Sequence, residues 1–255
     1  MVDDIRLSIN RNLIIILLCF LSFNILAQNK MRTVDELINK TDPGWPMVEE
    51  MIQSAKNKID ILPVNPWQAE QALFKTQVTT RSPMVAIVYK TGGILVDDGW
   101  IRILGSGNEK LDRTLPDWNK GKSFREFGEV PSFLLIADDA IGGFFILNGG
   151  GLGEDLGKIY YFSRDNLEYE PLDITYTEFL EFCFNNDLEQ FYKGNRWQNW
   201  RKEVSELSGD QIFAFYPFLW TEEGKDINKN SRKAISVEEQ YHFNLDSKKQ
   251  LGFDK

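Results

Sequence analysis

The sequence predicts an α+β fold: an antiparallel sheet of hairpin-linked strands with helices packed around it. Three observations carry that prediction. Strand-like runs come in neighbouring pairs separated by Gly-containing turns, a spacing that builds antiparallel sheets and not doubly wound parallel ones. Short amphipathic helical patterns precede the strong strand signals, so the two element types are segregated along the chain. The 255 residues are 42% hydrophobic and 13% aromatic, enough for the core of one folded domain.

In chain order, residues 1–27 read as a secretory signal. Arg6 and Arg11 flank an apolar run, Leu13 to Phe23, of the length of a signal core and too short to span a membrane. Ala27 supplies a small residue before a cleavage point, so the mature chain is expected to start at Gln28, exported, periplasmic or secreted, without a membrane span. The alternative is a cytoplasmic chain whose translation starts at Met31. Residues 28–221 are expected to form a single α+β domain, with 222–255 a polar extension packing on it.

Within the domain, Thr33 with Glu36 makes a capping box for a short helix to Asn39. Pro46 suits the first turn of a second helix to Lys56, with Val48, Met51, Ile52 and Ala55 on one face. Ile59 to Val64 is a connector or short strand. Asn65 followed by Pro66 opens a third helix, to Lys75. Met84 to Tyr89 (MVAIVY) reads as a strand, Gly92-Gly93 as a hairpin turn and Ile94 to Val96 as the return strand. Asp97-Asp98-Gly99 reads as a turn or bulge before the strand Trp100 to Leu104, and Glu109 to Glu129 as an irregular loop.

The most regular punctuation lies from Ser132 to Phe184. Phe133 to Ile136 and Phe144 to Leu147 are strands around a turn at Asp138 to Gly143. Asn148 to Gly157, with five glycines in ten residues, is a flexible loop. Lys158 to Phe162 and Glu168 to Leu172 are further strands. Thr175 with Glu178 caps a helix whose apolar face carries Phe179, Leu180, Phe182 and Cys183. Asp187 to Tyr192 and Trp197 to Leu207 read as helices, Gln211 to Phe215 as a late strand, and Val237 to Leu251 as a weak terminal helix.

Charge and composition exclude several functions. The net charge is −9, and neutralising phosphates needs clustered Lys and Arg, so nucleic acid is excluded as an expected partner; an acidic surface fits a partner protein with a basic surface. His242 is the one histidine, which argues against His-based catalytic triads, zinc sites and proton shuttles. Two cysteines, Cys19 and Cys183, make neither a disulfide framework nor a thiolate metal site. No cofactor or metal is expected. The loop 148–158 fits no phosphate-binding glycine pattern in any frame, and Glu154 and Asp155 would repel a phosphate. Asp226 to Asn230 resembles the start of a calcium loop but lacks its glycine and its twelfth-position Glu.

The acidic pairs Asp97-Asp98 and Asp138-Asp139 are the remaining candidates for chemistry, since glycoside hydrolysis needs two carboxyls across a sugar bond. Acids beside glycine are also ordinary turn residues, and adjacent acids on a strand face opposite ways. They are therefore expected as exposed contacts for a basic partner. Trp100, beside the first pair, and Glu154 and Asp155 in the Gly-rich loop complete the expected contact set, with no catalytic residue assigned. The aromatic run Phe213 to Trp220 would offer sugar-stacking rings if several were exposed.

The segments TTRSPMVAIVYKTGGILVDDGWIRILGSG, LLIADDAIGGFFILNGGGLGEDLGKIYYFSRDNLEYEPL, FAFYPFLWTEEGK and SRKAISVEEQYHFNLDSKKQLG resemble a bacterial family known as domain of unknown function 2625, over nearly everything from Met31 onward. That family implies no activity to carry over. The order of Ile136 to Gly143, Lys158 to Tyr160 and Tyr176 to Leu180 also resembles the SMI1/KNR4-like, or SUKH, superfamily. This second resemblance implies a SUKH-like core and a binding protein, since members are mostly non-enzymatic and include toxin-neutralising immunity proteins; the signal-like segment departs from their cytoplasmic setting. The expectation is a non-catalytic binding module, with a cell-envelope glycan enzyme acting through paired carboxylates as the alternative.

Overall fold

A computed structural model describes residues 31–252; the signal-like segment therefore lies outside the described residues. The fold is α+β, as predicted. Seven strands form one antiparallel meander in chain order: β1 (Ile59–Leu62), β2 (Gly93–Val96), β3 (Ile101–Leu104), β4 (Phe133–Asp139), β5 (Phe144–Asn148), β6 (Lys158–Phe162) and β7 (Tyr169–Thr175). A second, two-stranded sheet pairs β8 (Gln211–Tyr216) with β9 (Ser231–Ser236). The helices are α1 (Val34–Leu37), α2 (Trp45–Gln53), α3 (Pro66–Thr76), α4 (Pro83–Lys90), α5 (Leu115–Asn119), α6 (Tyr176–Asn185), α7 (Leu188–Phe191), α8 (Trp200–Ser205) and α9 (Val237–Gln250).

Local signals place the helices. Both capping boxes form: Thr33 and Thr175 each accept from the backbone N–H three residues on, and Glu36 and Glu178 reach back to the cap N–H groups. Asn65 caps α3 and Ser236 caps α9 in the same way.

Besides β9 and α5, where the sequence reads as extension and loop, one element differs in type. Met84 to Tyr89 is not a strand; it is the body of α4. Met84 through Val88 are all buried, so the run is apolar all round, and periodicity cannot separate a buried helix from a buried strand. Pro83 at its first turn is the deciding local signal. Gly92-Gly93 is accordingly no hairpin turn: Gly93 begins β2, which pairs with β1 and β3. The loop 109–129 holds one short helix, α5. β4 runs three residues further than predicted, so Asp138 and Asp139 stand at its end and not in a turn.

Cross-strand partners share a face of a sheet. Arg102, Asp138, Phe144 and Phe162 are register partners on one face; Phe145 and Tyr161 lie on the other. The first face meets α9, where the Tyr241 ring packs edge-on to Phe144 at 5.2 Å. The second meets α6, where Phe179 lies 4.9 Å from Phe145. The 7-stranded sheet is thus covered on both sides at β4 and β5. The segment beyond residue 221 supplies β9 and α9, and Phe213 N–H donates to Ala140 O to join β8 to the β4–β5 turn.

Candidate functional site

The β2–β3 turn is built from Asp97, Asp98 and Gly99, all with positive φ (51°, 59° and 84°). Asp and Gly tolerate that backbone, and such turns match the twist of a hairpin. The turn aims two carboxylates at the loop around α8. Asp97 lies 2.7 Å from Arg196 and 3.3 Å from Arg201; Asp98 lies 2.5 Å from Lys58 and 3.5 Å from Arg201. Arg196 also lies 2.8 Å from Glu189. Both acids are engaged by cations of the same chain.

Trp100, expected as a contact residue, is fully buried. Tyr192, Trp197 and Trp200 surround it with ring centroids 5.2, 5.8 and 4.8 Å away. The Arg196 guanidinium stacks over Trp100 at 4.7 Å and over Trp200 at 4.1 Å. This aromatic nest fixes the 192–200 segment against the turn, so Trp100 is an anchor of the core and not a partner contact.

Beside the turn opens a cleft of about 450 Å³. Asp98, Gly99, Lys58 and Arg102 line one side, and Val204 to Gly209 line the other. Charges of both signs face it, including Lys110, Asp60, Glu109 and Glu206. Its size fits a small molecule or a peptide segment.

Asp138 and Asp139 do not reach any surface. Asp138 is matched by two arginines: Arg102 Nη2 at 2.6 Å and Arg113 Nη1 at 2.5 Å, the latter also 2.7 Å from Asp210. Asp139 accepts from Ile141 and Gly143 N–H at 3.1 and 2.8 Å, and from the hydroxyls of Tyr161 and Tyr192 at 2.7 and 3.1 Å. Burial pushes the Asp139 carboxyl upward, with those donors acting against it; burial and the Asp139 charge push both tyrosines well up. A Cβ at Gly143 would stand 2.6 Å from Asp139 Oδ2 and against the Tyr161 hydroxyl, so glycine is required there. The two acids indeed face opposite sides of the sheet, but both sides are covered, so the expectation of an exposed acidic contact is corrected.

Arg164 completes this buried polar layer, donating to Ile141 O at 2.8 Å and Phe213 O at 3.3 Å. Burial lowers its pKa to about 10, against the pull of Asp139. Sequence reasoning missed Arg102, Arg113, Arg164 and Arg196. The available signal was Arg102 inside the apolar run WIRIL, since a buried arginine needs a carboxylate partner.

The Gly-rich loop is pinned rather than loose. Asn148 accepts from Gly150 and Leu152 N–H and donates to Gly153 O and Asp155 Oδ1. Asp155 also accepts from the Tyr160 hydroxyl at 2.9 Å, which raises that phenol's pKa. Asp155 therefore closes the loop, while Glu154 is exposed. His242 is exposed, with Nε2 2.8 Å from Glu238; Cys183 is buried, which pushes its thiol well up. Among the described residues, no group of three or more His, Cys, Asp or Glu could hold a metal ion, and no helix is long and apolar enough to cross a membrane.

The class defined by this architecture is an α+β domain with a seven-stranded antiparallel meander and a buried acid–arginine layer. The chain belongs to the family described as protein of unknown function DUF2625, whose model matches residues 34–240. An uncharacterized protein of Haemophilus influenzae is 44% identical over 218 residues, 86% of this chain and 96% of that protein. A putative uncharacterized protein of Escherichia coli K12, YbfG, is 43% identical over 218 residues, 86% of this chain and 98% of that protein. No solved structure matches the chain.

Proposed function

We propose that the chain is a non-catalytic binding module that contacts a partner protein carrying a basic surface. One observation carries this reading above the others. Of the four acids that the sequence marks for chemistry, Asp138 and Asp139 are buried inside a structural network, and Asp97 and Asp98 are bound by Arg196, Arg201 and Lys58. The lone histidine and the mature thiol stand outside the cleft, the first on an exposed helix and the second in the core. The chain carries a net charge of −9, and electrostatic complementarity to a basic surface steers and selects partners. The resemblance of the motif order to SUKH proteins is in keeping with this reading.

Carboxyl-to-amine cross-linking of the intact chain in its native cells is expected to give a discrete adduct with another protein, suppressed by raising the salt during cross-linking. Failure to obtain any adduct across growth conditions would sink this reading. One observation keeps the glycan enzyme as a second reading: Asp98 shares its cleft with Asp60, Glu109 and Glu206. Loss of a glycan-cleaving activity on Asp98→Asn would decide for it.

We also propose export, with cleavage after Ala27. Mass spectrometry of the cell-envelope protein is expected to show a chain beginning at Gln28; a cytoplasmic chain beginning at Met31 overturns export without touching the binding reading.

A further inference from the structure

Between residues 165 and 189 the chain carries eight Asp and Glu and no Lys or Arg, nearly its whole net charge of −9. These residues form the turn before β7, the edge strand β7 itself, α6 and α7. A groove of about 330 Å³ lies within this acidic segment. Its walls are apolar: Leu172 and Ile174 from β7, Phe182 from α6 and Phe191 from α7. Glu178 and Glu181, one helical turn apart on α6, rim it. Asp173, between the two β7 wall residues, is exposed, as are Asp187 and Glu189 near the other wall. Glu178 is held ionised by the Thr175 N–H and hydroxyl, which lower its pKa.

The cations close to this groove are few. Lys158 donates to Asp173 O at 2.9 Å and helps to hold Glu178 ionised; Arg196 and Arg201 are bound to Glu189. Glu181 accepts from the Asn185 amide at 3.0 Å. A half-open apolar groove is thus set where negative charge is in excess.

We propose that this groove docks a segment of a partner protein bearing one bulky apolar side chain flanked by Lys or Arg. The proposal rests on the binding-module reading and gives it a place and a partner chemistry. The apolar side chain enters between Leu172, Ile174, Phe182 and Phe191, and the flanking cations meet Glu178 and Glu181. Charge complementarity selects this occupant over a neutral glycan, which would gain nothing from the acidic rim. The anchoring is by side chain and not by strand addition. Pro171 has no N–H to offer, Asp173 sits at φ 57°, and both interrupt β7 as a template for a further strand.

The test uses the chain from Gln28 and a labelled octapeptide with Lys and Arg around one central Phe. Its counterparts carry Ala for Phe, or Glu for the basic residues; a neutral oligosaccharide is the fourth probe. Fluorescence anisotropy is expected to show saturable binding of the first peptide and at least about tenfold weaker binding of the Ala form, with none of the Glu form. Methyl resonances of Leu172 and Ile174 should shift on titration. Glu181→Lys, at an exposed position, should weaken binding about tenfold. Asp173→Asn keeps a residue type at home in the left-handed region and should weaken it less.

Shifts of the groove methyls by the oligosaccharide alone would overturn the proposal. So would concentration-dependent self-association abolished by Glu181→Lys, which would make a second copy the occupant. Peptide binding that maps elsewhere and survives Glu181→Lys overturns the groove assignment and leaves the binding module standing. No response to any peptide, together with no cross-linked adduct in cells, removes both.

Discussion

Replacing Asp138 with asparagine is expected to lower the unfolding free energy by about 3–5 kcal/mol, whereas Asp139→Asn should cost clearly less at pH 7, because it removes only a longer-range charge acting on Arg164 and Arg102. The two acids are adjacent and both fully buried, yet their partners differ in kind. Asp138 faces two guanidinium groups, with side-chain exposures of 1% for the acid and 2% and 10% for Arg102 and Arg113. An amide can accept from only one of them, which leaves a buried positive charge uncompensated. Asp139 faces two backbone N–H groups and two phenols. An amide oxygen can take the backbone donors, while the amide N–H₂ donates to phenol oxygens whose own hydrogens rotate away.

The pH dependence separates the two acids further. The folded-state pKa of Asp139 lies above its usual value, so ionisation weighs more on the native chain than on the unfolded one. Its favourable contribution is complete below the unfolded pKa of about 3.9 and is lost as pH rises through the folded value. Asp139→Asn should flatten that part of the stability profile. Urea unfolding of both variants between pH 3 and 8 would measure this. A severe loss at neutral pH in Asp139→Asn with little loss in Asp138→Asn would contradict the assignment of roles.

Trp100→Ala should remove about 3–5 kcal/mol, a large part of the roughly 5–15 kcal/mol available to a domain. The side chain is fully buried and is the hub of Tyr192, Trp197, Trp200 and the Arg196 guanidinium. Its loss leaves a cavity and strips a π-face from a cation that is 5% exposed. Trp100→Phe keeps one ring and should lose clearly less. Denaturant midpoints give the ranking, and near-ultraviolet circular dichroism should lose part of its tryptophan signal with Trp100→Ala, as one of seven tryptophans is lost and the packing of Trp197 and Trp200 is disturbed, while the helix content persists. Equal losses for the two substitutions would show that ring area at this position is not what matters.

The fold was largely legible because its punctuation is local. Thr33, Asn65 and Thr175 announce their helices, and Asp97-Asp98-Gly99 announces a turn or bulge, which proves to be the β2–β3 turn. Met84 to Val88 was not legible as a helix, because a segment buried on all sides carries no amphipathic period; Pro83 alone spoke for it. The site was much less legible. Whether an acid beside glycine is a turn residue or half of a buried ion pair depends on what arrives from elsewhere in the chain. Arg113 reaches Asp138 across 25 positions and Tyr192 reaches Asp139 across 53. No short-range pattern encodes such meetings. Arg102 within WIRIL was the exception, a charge in an apolar strand that demanded a partner. The groove beside β7 was visible only as charge: its acids lie in one stretch of sequence, but its apolar walls come from three elements.

The joining of β8, β9 and α9 to the end of the sheet bears on the order in which the chain can be made. Arg102 and Arg164 donate to the carbonyls of Gln211 and Phe213, and Asn244 donates to Gly142 O. A ribosome delivers the meander first and these acceptors and donors last. Until residues 211–244 emerge from the exit tunnel, the nascent sheet holds two arginines that each lack one of their acceptors, although Asp138 and Ile141 O are already in place. Folding of this domain is therefore expected to finish only once residues 211–244 are available, and the unfinished sheet, with its arginine-bearing face open, is the form on which chaperones would act.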